Sequence, residues 1–492
     1  MSPPHDEREG ANSEGNGGLA RRFLVGGLYV GFGSWTASLL NFAINLGVAR
    51  LLGPEVWGFY AFVFAINEFL NIVGAFSISA ALIQAPETSQ RHQDTATAIS
   101  ALLGAVALIG AAAVASWLYG HHSPMAAWFL VILGVTRLIE LVGSIPYAIL
   151  ERALEYRAVA LIAWVSTVLP ALAALALAWF GAGAWSLLTQ HFLVSFMILV
   201  LAGLRSSYRF RGAVDREVAG KLMHFSRSVF VARSLEIGME RADRFAIGAA
   251  FGDLKLGLYN QARTLSESGY IAARPVTQLA FNLYSRLQDD PPRLARGFSL
   301  VNHFLVRLLF LGVATLLVYP QQTIRLLLGD DWLGAAPILG WLALYAGFFP
   351  LFENLKWLLY GRGMAARVVW LRLVQLLLFL LGIALAIALD DVHVVAMTLL
   401  WTVLLGVVLA WRMNGELLRG TLGPIFLGPC LVLAATVALF WLPPVAERLA
   451  LLPFWLLPFL PPAVYAGLTL LAERTSLLRE LRLLAGLLRA ES

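Results

Sequence analysis

Residues 233–274 limit the possible folds of this chain more than any other segment, because they are long enough for two membrane-spanning helices yet carry many charges. Charged side chains persist at bilayer depth only where they face a protein interior or a water-filled cavity. On a helix, residues three and four positions apart share one face, and the polar side chains here follow that spacing in two sets. The sets are Arg233, Glu236, Glu240 and Arg244, followed by Arg263, Glu267, Tyr270 and Arg274. The segment therefore predicts two helices within the membrane that line one polar chamber.

A largely uncharged copy of this segment lies 199 positions earlier in the chain. Its turn sequence, GPEVWGFY, matches the later GDLKLGLY at both glycines and at the tyrosine. The same shift places Ser34, Asn41 and Asn45 on Arg233, Glu240 and Arg244, and Glu68 on Glu267. A repeat that keeps both its turn and the position of its polar face indicates a duplicated structural unit.

The composition places the whole chain in a membrane. Apolar residues make up 59% of the 492 residues, charged residues only 13%, and the mean hydropathy is +0.75. A membrane-spanning helix needs about 20 mostly apolar residues, and the apolar runs predict about fourteen such helices. They cover residues 22–49, 57–84, 95–118, 125–150, 158–180, 184–204, 223–252, 256–284, 297–320, 334–360, 365–389, 392–411, 421–442 and 449–472. The sequence thus predicts an all-α integral membrane protein.

The predicted helices fall into three parts. Residues 205–221 form the longest basic connector and separate the two copies of the repeat. We expect residues 1–220, which include a polar N-terminal tail, to form one six-helix lobe, and residues 221–420 to form a second, pseudo-symmetric lobe. Residues 421–492 then supply two additional helices and a basic amphipathic tail that lies on the membrane surface.

The distribution of basic residues predicts the orientation in the membrane. Outside the predicted helices, 22 of the 36 lysines and arginines fall in segments on the same side of the membrane as the N-terminus. Four fall in loops on the opposite side. Basic residues concentrate in cytoplasmic loops of membrane proteins. We therefore expect both termini to be cytoplasmic.

Several classes of function are disfavoured by the sequence. The net charge of +6 is spread over short loops, which argues against nucleic acid as a partner. The single cysteine, the lack of CxxC and HExxH motifs and the lack of a GxxxxGK[ST] loop argue against a metal site, a cofactor or bound nucleotide. The predicted outer loops are too short for a catalytic domain, so we expect the chain not to be an enzyme.

Five motifs resemble those of one family. They are ARLLGPEVWGFYAFVFAI from Ala49, SAALIQ from Ser79, ADRFAIGAAFGDLKLGLYNQARTL from Ala242, YSRLQDDPPRLARGF from Tyr284 and LLLGDDWLGAAPIL from Leu326. In order and spacing they resemble the polysaccharide transporter (Wzx-type) family of lipid-linked oligosaccharide flippases. The resemblance implies the MATE-like fold of the MOP superfamily, with two six-helix lobes around a central cavity. It also implies a bacterial inner (plasma) membrane protein and a cargo of oligosaccharide linked to undecaprenyl pyrophosphate.

Such a cargo needs cations for its phosphates, and amides or hydroxyls for its sugars. We expect these groups to come from Arg137, Arg244, Arg263, Arg274, Asn41 and Asn45. The alternative for several arginines is structural pairing along their own helix, as for Arg137 with Glu140 and Arg263 with Glu267. Arg274 has no carboxylate three or four positions away. It is therefore the preferred phosphate contact, unless it extends to the membrane surface, as we expect for Arg307 and Arg372.

Glu68 and Glu267 occupy equivalent positions in the two copies of the repeat. A buried carboxylate without a cation takes up protons near neutral pH, so either residue is a candidate for coupling transport to an ion gradient. The alternative is a carboxylate that is hydrogen-bonded to amides such as Asn67 and holds two helices together.

Together, these features predict a flippase that moves the oligosaccharide repeat unit from the inner to the outer leaflet by alternating access, for exopolysaccharide or O-antigen assembly. The expected partners are the polyprenyl-pyrophosphate-linked oligosaccharide, the lipid bilayer, and a polysaccharide polymerase with its co-polymerase. A multidrug exporter on the same fold and an integral-membrane glycosyltransferase or polymerase are the alternatives. The basic lining argues against the first, and the short outer loops argue against the second.

Overall fold

The computed structural model describes the backbone of residues 7–70, 76–85, 88–121, 123–421 and 423–474. Side chains are described from residue 31 onward, apart from scattered positions, most of which lie within residues 228–240 and 271–286. Within this part of the chain every regular element is helical. The α-helices are α1 Glu7–Leu70, α2 Ile78–Gln84, α3 Gln90–His121, α4 Pro124–Arg152, α5 Tyr156–Trp179, α6 Trp185–Arg205, α7 Arg216–Arg286, α8 Pro291–Val318, α9 Pro320–Leu327, α10 Ala336–Gly361, α11 Ala365–Leu389, α12 His393–Met413, α13 Gly428–Trp441, α14 Pro443–Leu449 and α15 Leu460–Ala472.

Local sequence explains where several helices begin. The Ser123 side chain accepts a hydrogen bond from the backbone N–H of Ala126, and Pro124 follows as the first residue of α4. Asp290 does the same for α8, where it accepts from the backbone N–H of Arg293. A side-chain acceptor satisfies a free backbone donor, and proline at the first position loses no hydrogen bond, so both signals favour a helix start.

The two longest helices, α1 and α7, each contain one residue that is not helical. It is Gly53 in α1, with φ 75° and ψ 170°, and Gly252 in α7, with φ 81° and ψ 177°. Glycine adopts positive φ without the steric cost that a Cβ brings. The two predicted spans on either side of each repeat turn therefore continue almost directly into each other, with a single glycine as the break.

The chain forms two compact units. Unit 1 comprises Met1–Leu52 and Phe59–Phe245, and unit 2 comprises Gly53–Gly58 and Ala246–Ser492. In unit 1, α4 packs against α3 and α6, and α6 also packs against α5. In unit 2, the buried core lies among α8, α10, α12 and the C-terminal helices, around aromatic side chains that include Phe310, Phe352 and Tyr465. The predicted lobes and their boundaries at residues 220 and 420 stay predictions.

The two repeat turns touch each other within unit 2. A Cβ atom on Gly58 would lie 1.7 Å from the carbonyl oxygen of Asp253, and a Cβ on Gly257 would lie 1.9 Å from the carbonyl oxygen of Pro54. Each turn therefore uses its second glycine to approach the backbone of the other turn. The residues that align in the sequence repeat are thus also reciprocal partners in space.

The segment that follows α6, residues 206–215, is held to α3 by hydrogen bonds. The buried Asp94 of α3 accepts hydrogen bonds from the backbone N–H groups of Arg211 and Ala213, at 3.2 and 2.9 Å. The Thr95 hydroxyl accepts from the backbone N–H of Asp215 at 2.9 Å. The basic connector, residues 205–221, is non-helical from residue 206 to residue 215 and is tied to the start of α3 by these hydrogen bonds.

The count of membrane spans differs from the predicted fourteen, which is not confirmed. Within the described residues nine helices are long and apolar enough to cross a membrane, or ten if the bent pair Ile425–Trp441 and Pro443–Leu449 is one span. The difference has three physical causes. The first predicted span and the start of the second lie in the single helix α1, which counts once. The charged predicted spans 223–252 and 256–284 form α7, which is absent from those nine apolar helices. The last two predicted spans, 421–442 and 449–472, correspond to the bent pair and to a shorter apolar helix, Leu457–Ala472.

Candidate functional site

Arg137 and Glu140 form an ion pair on α4, as their spacing predicts. Arg137 Nη1 lies 2.9 Å from Glu140 Oε2. The pair forms part of the wall of a cavity of about 160 Å³ within unit 1. The other residues that line it are Ser77, Ile78, Ser79, Ser100, Leu103, Leu141 and Ser144. Four serines beside an ion pair make this cavity polar.

Glu68 pairs with an arginine from a different helix. Arg241 Nε of α7 lies 3.6 Å from Glu68 Oε2 of α1, and the Arg241 guanidinium lies 5.9 Å from the centre of the Phe64 ring. The sequence analysis found no basic neighbour for Glu68, because spacing along one helix does not show cations on another. Asn67, the amide proposed as its partner, is buried, and its side-chain oxygen has no hydrogen-bond partner in the described part of the chain.

His191 of α6 lies beside Phe64, and the sequence analysis did not identify it as a candidate residue. Its ring meets the Phe64 ring edge-on, with 5.1 Å between the centroids. It also interacts electrostatically with Glu140, Glu68 and Arg137. The sequence around a single histidine in an apolar helix does not show which charges lie near it, since these neighbours come from α1 and α4.

The predicted amide stripe of α1 is present. Asn45 donates to the side-chain oxygen of Asn41 at 2.9 Å and to its backbone carbonyl at 2.8 Å. Gln190 of α6 donates to the same Asn41 side-chain oxygen at 3.2 Å. These half-buried amides order one another and retain further hydrogen-bonding capacity, since each amide has two donor hydrogens and an acceptor oxygen.

Two of the predicted arginines are described less fully. Arg244 is half-buried on α7, and its backbone N–H donates to the buried carboxylate of Asp243 at 2.7 Å. Its predicted partner Glu240, together with Arg233, Glu236 and Arg274, has a side chain outside the described residues.

In unit 2, Arg263 and Glu267 form the predicted pair on α7. Arg263 Nε lies 2.8 Å from Glu267 Oε1. The buried Arg263 guanidinium also lies 5.9 Å from the centre of the Tyr345 ring, which stacks on Phe349 at 5.4 Å. A cation next to an aromatic ring face is stabilised by the ring quadrupole. Tyr270 meets the same Phe349 ring edge-on at 5.9 Å, so aromatic side chains surround this ion pair.

Glu353 of α10 holds two cations. Lys356 Nζ lies 2.6 Å from one of its oxygens, and Arg372 Nη2 of α11 lies 2.8 Å from the other. The sequence analysis did not identify this partner of Arg372, because spacing along one helix does not show a carboxylate on another; the expectation that Arg372 extends to the membrane surface stays a prediction. The Arg372 guanidinium also lies 5.0 Å from the centre of the Phe352 ring. This cluster carries one net positive charge.

Arg307 is also paired. It lies 2.5 Å from the Glu473 carboxylate, which follows α15, and it donates to the backbone carbonyl of His303 at 2.6 Å. The sequence analysis did not identify this partner either, because the C-terminal helices bring it from a distant part of the chain; the expected place of Arg307 near the membrane surface stays a prediction. The pair ties α8 to the end of α15.

A resident metal has no clear place in the described part of the chain, where no three His, Cys, Asp or Glu side chains group around a possible ion. The described side chains of the candidate site are paired charges, amides and aromatic rings. These groups bind ligands reversibly through hydrogen bonds, charge and ring contacts.

Comparison with known proteins identifies the family. The profile of the polysaccharide biosynthesis protein family matches residues 48–337, more than half of the chain. The chain belongs to this family. A relative in Rhizobium meliloti (strain 1021), the succinoglycan biosynthesis transport protein ExoT, is 27% identical over 341 residues, which cover 67% of each protein. The predicted resemblance to polysaccharide transporters is thereby confirmed.

Solved structures confirm the predicted fold class. Lipid II flippase MurJ, in an inward closed conformation, aligns with a TM-score of 0.68 at 12% identity over 92% of this chain and all of MurJ. A multidrug resistance MATE family transporter of the MOP superfamily, facing inward, aligns with a TM-score of 0.59 at 12% identity over 77% of this chain and 96% of its own. This polysaccharide biosynthesis protein therefore has the MATE-like, all-α fold.

Proposed function

We propose that this chain is a flippase that moves an oligosaccharide, linked to a polyprenyl diphosphate, from the inner to the outer leaflet of a bacterial inner membrane. Membership of the polysaccharide biosynthesis family supports the pathway. A relative named as a biosynthesis transport protein supports transport, and the fold of a lipid II flippase is consistent with a lipid-linked cargo. The prediction that the chain is not an enzyme is confirmed by these relatives, which are transporters.

The observation that carries the proposal is the set of ionic side chains within membrane-length helices. Each unit buries or half-buries its own pairs, Arg137 with Glu140 in unit 1 and Arg263 with Glu267 in unit 2. Burying charge in a membrane protein is costly, so ion pairs retained within membrane-length helices support a polar transport route. A carrier of neutral, apolar molecules has no use for them.

Within this proposal the predicted residues keep their roles. Arg137, Arg244, Arg263 and Arg274 bind phosphate or acidic sugars, and Asn41 and Asn45 bind sugar hydroxyls. Glu68 and Glu267 remain candidates for coupling, and each now has an arginine partner that a proton or cation must compete with. Two lobes that alternate access, cytoplasmic termini, and a polymerase with its co-polymerase as partners belong to the same proposal.

A leaflet-exchange assay tests the function. The full chain is reconstituted into liposomes with a fluorescent oligosaccharide on a polyprenyl diphosphate, and a membrane-impermeant quencher is added outside. We expect label from the inner leaflet to become accessible in liposomes with the chain and to stay protected in liposomes without it. Arg137→Gln and Arg263→Gln should slow this exchange. Arg325→Gln, which removes an exposed ion pair between α9 and Asp330, should not. Equal protection with and without the chain would refute the proposal.

A multidrug exporter shares this fold, and the same liposomes separate the two functions. Under an imposed pH gradient, a cationic dye placed in the lumen of these liposomes should stay there, because we do not expect the chain to export it. Dye efflux without exchange of the labelled lipid would favour the exporter.

A further inference from the structure

His191 is a titratable group that the transport proposal has not yet used. It lies on α6 in unit 1 and is half-buried. Its ring contacts Phe64 edge-on, and among the described residues neither ring nitrogen has a hydrogen-bond partner. Histidine is the side chain whose ordinary titration range lies closest to physiological pH. Burial favours the neutral form of an imidazole, so a ring with unused nitrogens gains a proton only when a nearby negative charge compensates for it.

The charges that act on this ring come from neighbouring helices. Glu140 and Arg137 lie on α4, and Glu68 lies on α1. Glu68 in turn holds Arg241 of α7. With a neutral imidazole, two carboxylates balance two guanidiniums. A proton on His191 therefore gives the group one net positive charge.

Within the described part of the chain, no other charged side chain acts on this ring. Tyr60 of α1 stacks on Phe64 at 5.8 Å, and a phenol is neutral in the physiological range. The charged residue of α5 is Arg157, at its first turn. Glu155, two residues earlier, pairs with Arg205 at the far end of α6, and 14 residues of helix between positions 191 and 205 span about 21 Å. The charge state of His191 thus depends on α1, α4 and α7.

The polar cavity of unit 1 lies beside two members of this cluster. Arg137 and Glu140 belong to its wall, and both also act on His191. Arg137 Nε is buried there without a hydrogen-bond partner among the described residues. An acidic group that enters beside Arg137 finds an unused donor and lies within the electrostatic range of the imidazole.

We propose that His191 takes up one proton when an anionic group of the transported lipid binds beside Arg137. This inference rests on the proposed flippase function. The proton comes from the surrounding water and is held on the free ring nitrogen, and no covalent bond forms to the lipid. Because linkage is reciprocal, protonation of His191 must strengthen binding of the anion by the factor by which the anion strengthens protonation. His191 is thus a sensor of substrate charge within unit 1.

The test compares binding of one soluble probe, farnesyl diphosphate, to the purified full chain at different pH values. The probe itself titrates, so the decisive quantity is the difference between wild type and variant. The variants are His191→Gln, which stays neutral, and His191→Lys, which stays charged. His224→Gln is the matched control, because His224 is exposed and lies outside this cluster.

We expect the affinity of the wild type to rise relative to His191→Gln as the pH falls from about 8 to about 6, by up to about tenfold per pH unit for one linked proton. His224→Gln should follow the wild type, and His191→Lys should bind tightly at both ends of this range. Parallel pH dependence in the wild type and His191→Gln would overturn the inference and leave the flippase proposal intact. Failure of all four proteins to bind the probe at any pH would instead count against diphosphate recognition, and thus against the proposed function and the inference together.

Discussion

The contact between the two repeat turns makes Gly58 the most sensitive position that the structure identifies. In Gly58→Ala the new Cβ would lie 1.7 Å from the carbonyl oxygen of Asp253 and 2.8 Å from the backbone nitrogen of Gly257. Both neighbours are backbone atoms, so no side-chain rotation relieves the overlap. The two turns must move apart instead.

The cost follows from overpacking. Extra methyl groups in well-packed sites cost about 1–3 kcal/mol and more where the backbone must shift, so we expect about 3 kcal/mol for Gly58→Ala. For a domain of about 200 residues, each kcal/mol lowers the unfolding midpoint by about 2–4 °C, which gives a loss of about 6–12 °C. Gly257→Ala should behave alike, because its Cβ would lie 1.9 Å from the carbonyl oxygen of Pro54.

The assay is thermal unfolding of the purified protein in detergent, followed by tryptophan fluorescence. Gly340→Ala is the matched control, since its Cβ would meet only Leu317 Cδ2 at 3.9 Å and alanine favours a helix interior by about 1 kcal/mol. The double variant of Gly58 and Gly257 should cost less than the two single losses together, because one separation of the turns relieves both clashes. A Gly58→Ala midpoint as high as that of Gly340→Ala would refute the packing described here.

Three further predictions concern charges. Glu353→Ala leaves the buried Lys356 and the half-buried Arg372 without their carboxylate. Because one of these cations is buried, we expect a loss of about 3 kcal/mol in unfolding free energy, seen as a lower thermal midpoint than that of Glu217→Ala, whose partner Lys221 is exposed; an equal midpoint would contradict it. Arg152→Gln removes the cation that donates to the backbone carbonyls of Leu82, Ile83 and Ala85 at the end of α2. We expect a loss of about 1–3 kcal/mol in unfolding free energy and faster amide hydrogen exchange in α2; unchanged exchange would contradict this prediction. The backbone N–H groups of Val218 and Glu217 lower the pKa of the Asp215 carboxyl, so its contribution is present above the unfolded pKa and is lost as the pH falls through the folded value. Asp215→Ala should therefore speed proteolysis at the start of α7 at neutral pH. This difference should begin to shrink near about pH 4, the ordinary range of an aspartate, and vanish at still lower pH, and a difference that does not shrink in acid would contradict the assignment.

Patterns along one helix were predictable from the sequence. The pairs of Arg137 with Glu140 and of Arg263 with Glu267 follow from spacings of three and four residues. The repeat predicted which glycines correspond, since each break lies at the first glycine of its turn. The all-α membrane class followed from the apolar runs alone.

Contacts between helices were not predictable in this way. The partners of Glu68 and Arg307 are Arg241 and Glu473, which lie 173 and 166 positions away in the chain. No period in one segment reports a charge supplied by another, so Glu68 was taken as unpaired. The reciprocal fit of the second glycines, Gly58 and Gly257, was equally hidden, because a repeat shows similarity and not contact.

The exposure of the carboxylate separates the ion pairs that can receive a ligand from those that hold the fold. A substrate phosphate binds a paired arginine only if the carboxylate can give way, and a carboxylate can do so only if water is available to solvate it. The Glu140 and Glu267 side chains are 41% and 37% exposed, whereas those of Glu353 and Glu473 are both 11% exposed. Displacing Glu353 or Glu473 would leave a buried charge with no compensation. Under the proposed function we therefore predict that the exchangeable pairs are those of Arg137 and Arg263, two of the four arginines that the sequence analysis chose for the substrate, and that the buried pairs of Glu353 and Glu473 stabilise the fold of unit 2.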